Sequence, residues 1–167
     1  VISRIVPHYP MNTLFINAHP KETFNESFFA SLINFRRAWP KQSIVVEIHE
    51  SALTEIAQLR EFASRLAQLS IHFAYDDFGA GRARLLELAE VPAHYVKFDI
   101  ALVQSLHKAN PRKRKLVKDL VQMVLSAGSV PLAEGVEYEE EAQACIDAGF
   151  QLIQGYLTGR PITVEAA

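Results

Sequence analysis

The sequence predicts an α/β fold, a (β/α)8 TIM-like barrel of which about six strand–helix units lie in this chain. Three observations carry that expectation. Short apolar runs recur along the 167 residues, most followed by a stretch with helical periodicity, which argues for a parallel sheet covered by helices. Polar residues sit at or near the C-terminal ends of those runs: Asn17, Glu47, Asp76, Lys97, Glu134 and Gln154. Their spacing of 20 to 37 residues is close to one strand–helix unit each. A ring of ionisable groups at the carboxyl ends of successive strands is how a barrel builds a site, whereas a doubly wound open sheet gathers ligands at one switch point.

The expected strands are "TLFIN" (13–17), "SIVVEIHE" (43–50), "IHFAYDD" (71–77), "HYVKFDI" (94–100), "VPLAEGVE" (130–137) and "FQLIQGY" (150–156). Between them, 54–69 repeats Ile56, Leu59, Phe62, Ala63 and Leu66 at helical spacing, and 115–128 repeats Leu116, Leu120, Val124 and Leu125. The latter closes on Gly128, a helix stop. Segment 139–149 places acids in its first turn and a glycine after its last, as a helix dipole prefers. Six units do not close an eight-stranded barrel, and the first residue is Val, so the remaining strands are expected upstream. Residues 1–167 are then one domain's C-terminal two-thirds to three-quarters, and taken alone they would expose a sheet edge prone to aggregation.

Composition narrows the class. About half the residues are apolar and the formal net charge is −2, which suits a domain with a real core and argues against DNA or an anionic membrane as partner. The basic run "KANPRKRK" (108–115) reads as a solvated loop and helix start. The single cysteine, Cys145, excludes an internal disulfide and favours a reducing, cytoplasmic setting. No apolar stretch reaches membrane-spanning length.

The motifs "LFINAHP", "VVEIHES", "FAYDDFGAGRARLLEL", "VKFD", "PLAEGVE" and "QLIQGYLTGRP" occur in that order. Together they resemble the EAL domain, the hydrolase of the bacterial messenger cyclic di-GMP, from about residue 13 to 161. The Glu-Ala-Leu tripeptide that names the family has no equivalent; "ESAL" (50–53) follows the wrong strand. Smaller departures are His49, Ala80 and Tyr138, each in place of a usual Thr. The resemblance implies a metal-dependent phosphodiesterase producing linear pGpG, a homodimer, and a sensory or cyclase-like module elsewhere in the parent. The alternative is a catalytically inactive receptor that binds cyclic di-GMP or a protein partner.

Phosphodiester cleavage by two Mg²⁺ or Mn²⁺ ions needs oxygen ligands, and Asn17, Glu47, Asp76 and Asp77 supply them. By resemblance, Asp76 bridges both ions, Asp77 holds the second, and Asn17 and Glu47 serve the first. The competing reading of the Asp doublet is a turn capping the next helix. Adjacent strand residues face opposite ways, so Asp76 and Asp77 converge only if the strand ends between them, with Gly79 and Gly81 turning the loop beyond. Lys97, mid-strand, would orient the attacking water or stabilise charge on phosphorus, or else pair with Asp99 on the same parity. Asp99 is otherwise expected to support the site beside substrate. Glu134 resembles the additional acid near the second metal, and Gly135 allows close backbone approach. Glu137 and Glu50 resemble supporting acids, Glu50 anchoring the loop after the doublet; for both, a cap or surface acid is the alternative. Gln154 resembles a substrate-reaching residue, with a buried structural amide as the alternative. His49 is expected to pack in the core.

Overall fold

In the computed structural model, residues 6, 12–19, 24–49, 55–80 and 85–162 are described. Glu50 and Gly81 lie outside them. The elements are β1 (Leu14–Ala18), α1 (Glu26–Ala38), β2 (Ile44–Ile48), α2 (Ile56–Gln68), β3 (His72–Phe78) and α3 (Leu85–Glu90). There follow β4 (Tyr95–Phe98), α4 (Ile100–Val103), a 3-10 turn (Leu106–Lys108), α5 (Pro111–Ser126), β5 (Val130–Ala133), α6 (Glu139–Ala148) and β6 (Leu152–Ile153). The six strands stand in chain order in one sheet. β1 pairs with β2 in parallel, as do β3 with β4, β4 with β5 and β5 with β6. The order never reverses. A doubly wound sheet needs a reversal to make its switch point, so sequential order favours the barrel.

Contacts divide the chain into two compact units, one made of Val1–Phe73 together with Pro161–Ala167 and the other covering Ala74–Arg160. In the first, every residue of β2 is buried, as a strand covered on both faces requires. Asn25 caps α1 by accepting from the Ser27 amide at 3.0 Å, which accounts for its place in the chain. Phe29, Leu32 and Phe35 of α1 and Leu59, Phe62 and Leu66 of α2 are buried at helical spacing. Phe29 meets Phe62 edge-on, ring centres 5.6 Å apart, and Arg65 lies 3.6 Å over the Phe29 ring while both its terminal nitrogens bind Glu26.

Arg36 joins the C-terminal ends of these two helices. Its guanidinium donates to the carbonyls of Leu69, Ser70, Trp39, Pro40 and Gln42, at 2.7 to 3.3 Å. Those carbonyls include ones a helix end leaves without intrahelical donors. Partial burial lowers the Arg36 pKa without removing its charge. Arg36→Ala strands several of these acceptors at once and is expected to cost about 2 kcal/mol, at the lower end for bonds to a charged donor because the site is half-exposed. Urea unfolding checks this; an unchanged midpoint would show the guanidinium to be idle.

In the second unit, Val117, Val121 and Val124 of α5 and Ala142, Cys145 and Ala148 of α6 form the covering faces. Burial lifts the Cys145 thiol to about 11, with Glu141 adding to the effect. The Phe98 ring meets that of Phe78 at a tilt, centres 5.1 Å apart, and that of Phe150 edge-on at 4.8 Å. α5 begins at Pro111, earlier than its periodicity indicates: Asn110 accepts from the Lys113 amide at 2.9 Å, and proline at the first helical position needs no donor. The basic run is therefore largely helix. β4 also stops earlier than expected, at Phe98, because Asp99 turns to cap α4 by accepting from the Ala101 amide at 2.8 Å. Asp99 thus lies past the strand and outside the strand parity that paired it with Lys97.

Candidate active site

In the first unit, Asn17 and Glu47 are register partners, each one residue from the end of its strand. Register neighbours in a parallel pair share a face. Asn17 is exposed while Glu47 is 4% exposed. Burying a carboxylate requires hydrogen bonds or positive charge around it.

The second unit solves the problem of the Asp doublet by a bulge. Tyr75 pairs with Val96 and Phe78 with Phe98, so Asp76 and Asp77 together oppose Lys97 alone. One extra residue breaks the alternation, and Asp77 absorbs the change at φ 56°, a left-handed conformation that Asp tolerates better than most residues. The strand does not end between the two acids, as strict alternation requires; it continues through them to Phe78. Gly79 then sits at φ 96°, where an L side chain is strained.

Around this bulge, one carboxylate oxygen each of Asp76, Asp77 and Glu134 lies within 4.8 Å of the others. Glu134 follows β5 directly, its amide donating to the Phe98 carbonyl at 3.2 Å. The Lys97 ammonium lies 2.9 Å from Asp76 Oδ1 and 2.8 Å from Glu134 Oε1, with only 5% of the side chain exposed. The positive charge that makes the doublet tolerable therefore includes a protein ammonium. Three carboxylates offering hard oxygen donors at this separation suit a divalent cation.

Other expected residues fall at the margins. Glu137 is half-buried, with its amide donating to Glu141 Oε2 at 3.0 Å. Gln154 is exposed just past β6, so its side chain is not a buried structural amide; its own amide donates to the Ala133 carbonyl at 2.8 Å. His49 is exposed beyond the end of β2, contrary to the expected core packing, because the strand stops at Ile48 and leaves it outside the covered layer.

Sequence reasoning missed Glu141, whose side chain is buried to 2% exposure. In the sequence it is one of three acids in a first helical turn, which the helix dipole alone accounts for. Burial raises its pKa, but amide donors from Glu137, Ser105 and Tyr138, with the nearby His107, outweigh that and hold it below the ordinary carboxylate value. The signal was its position: third in the helix, where a Glu reaches back to the capping residue's amide.

The chain is a strand-ordered parallel α/β fold whose strand ends carry an acidic, lysine-bridged trio that could hold a divalent cation. The model of the EAL domain matches residues 6–161. The chain belongs to the EAL domain family, whose solved members are TIM-like barrels. It is 34% identical over 158 residues to the cyclic di-GMP phosphodiesterase RocR of Pseudomonas aeruginosa, covering 92% of this chain and 39% of RocR. It is similar to the EAL domain of Mycobacterium smegmatis DcpA, with a TM-score of 0.81 at 28% identity over 90% of this chain and 68% of that one. Klebsiella pneumoniae BlrP1 in its manganese and cyclic di-GMP complex gives 0.83 at 27% identity, over 95% and 42%. The chain thus spans well under half the length of RocR and BlrP1. Among the described residues no helix is long and apolar enough to cross a membrane.

Proposed function

We propose that the protein carrying this chain is a metal-dependent phosphodiesterase that opens cyclic di-GMP to linear pGpG. The observation that carries the reading is the Asp76–Asp77–Glu134 cluster bridged by Lys97. Asp76, Asp77 and Glu134, which lie together, and, on the family resemblance, Asn17 and Glu47 are the residues we assign to two Mg²⁺ or Mn²⁺ ions. Such ions supply charge neutralisation at phosphorus and a water acidic enough to attack near neutral pH.

The chain's own groups do the rest. Asp76 accepts from the Lys97 ammonium at 2.9 Å and would be one of the ligands in this reading. Lys97 lends an ammonium in a nearly closed setting, where charge developing on a phosphoryl oxygen is stabilised more than in water. It also holds Asp76 and Glu134 apart from each other's repulsion. Exposed Gln154 is assigned to substrate, and Glu137 to support of the loop that carries Glu134. The proposal extends, on family resemblance, to a cytoplasmic homodimer with a sensory or cyclase-like module outside this chain.

The test is product analysis with the full-length protein. Mg²⁺ or Mn²⁺ should permit conversion of cyclic di-GMP to pGpG, and excess chelator should stop it reversibly. Cyclic di-GMP bound without pGpG would indicate the receptor reading, and turnover persisting in chelator would end the metal assignment.

A further inference from the structure

Glu134 is useful only where its loop holds it. β5 ends at Ala133, and residues 134–138 cross to α6 with no strand pairing of their own. The loop is fastened at its start by the Glu134 amide on Phe98, and in its middle by the Val136 amide on the Gln154 carbonyl at 3.1 Å. Gly135, at φ 71°, lies so close to Ile100 that a Cβ there would stand 2.5 Å from two of its side-chain carbons.

The far end is fastened by Glu141. Its Oε2 accepts from the Glu137 amide at 3.0 Å and its Oε1 from the Ser105 amide at 2.8 Å. The Tyr138 amide is a third donor. Ser105 belongs to the turn just after α4, the helix that follows the Lys97 strand and presents Ile100 to Gly135. One buried carboxylate therefore ties the loop bearing Glu134 to the segment leading out of the strand bearing Lys97.

We infer that Glu141 is a positioning residue for the metal site: by clamping Glu137, Tyr138 and Ser105 it sets where Glu134 meets Lys97 and the cation. This rests on the metal reading above. Removing Glu141 strands three amide donors at a part-buried position, and the loop must shift to find them partners. Supports one step removed from a metal typically govern its affinity tenfold or more.

The test uses the full-length protein, Mn²⁺ titrated by calorimetry, and amide hydrogen exchange across 134–138. Glu141→Ala should speed exchange there and weaken Mn²⁺ binding about tenfold. Glu141→Gln, which keeps the shape but only one good acceptor, should fall between. Faster exchange with Mn²⁺ affinity unchanged would overturn the inference, leaving Glu141 a structural cap. Should Glu141→Ala not fold, Glu141→Gln decides: unchanged affinity overturns the clamp and weakened affinity supports it. Asp76→Asn is the control. If it binds Mn²⁺ like wild type, the metal reading itself has failed; if it loses binding while both Glu141 variants keep theirs, only the inference has.

Discussion

Asp76→Asn in the full-length protein is expected to lower turnover of cyclic di-GMP by well over a hundredfold while leaving the fold in place. The substitution preserves shape and replaces one carboxylate oxygen by an amide nitrogen, which cannot ligate a hard cation. Changing a residue one step behind a metal ligand already costs roughly 10- to 100-fold, so removing a ligand itself should cost more. Stability should change little, because Lys97 keeps its contact with Glu134 and Asn can still accept a hydrogen bond. Rates measured at saturating Mn²⁺, beside circular dichroism of both proteins, separate lost chemistry from lost folding. Turnover within a fewfold of wild type would remove Asp76 from the mechanism.

Lys97→Met should have its largest effect on the metal-free protein. The ammonium lies under 3 Å from two carboxylates and is almost sealed from solvent. Methionine fills similar volume, so the packing loss is small, but three acids then face one another without that charge. Removing one partner of a buried ion pair costs roughly 3–5 kcal/mol; the partial exposure of Asp76 and Glu134 puts this case near about 3. A divalent cation would restore the missing charge. The Mg²⁺-induced rise in Tm should therefore be larger for Lys97→Met than for wild type, even as turnover collapses. Equal shifts would mean that lysine and cation do not neutralise the same carboxylates.

Much of the site was legible because barrels carry chemistry at strand ends, and strand ends show in sequence as polar residues closing apolar runs. Asn17, Glu47, Lys97 and Glu134 stand out as candidates that way, each at or beside the end of an observed strand. The convergence of Asp76 and Asp77 was not legible. Alternation is a rule about regular strands, and a bulge is chosen by how β3 matches its neighbour. The end of β4 was not legible for a local reason: Asp99 continues the strand's parity on paper but caps a helix, and its short side chain favours that. Glu141 was overlooked because an acid in a first helical turn is usually solvated, and only its surroundings reveal a buried clamp.

By itself the amino-acid order determined the family, the strand-and-helix succession and the chemical types gathered at strand ends, since those follow from periodicity and motif spacing along one dimension. Tertiary structure alone decided which of those groups touch. Lys97 bridging Asp76 and Glu134, the bulge that turns two neighbours to one side, and the reach of Glu141 to Ser105 all join residues distant in sequence. Such contacts depend on register between strands and on loop closure, and neither is written into any single segment.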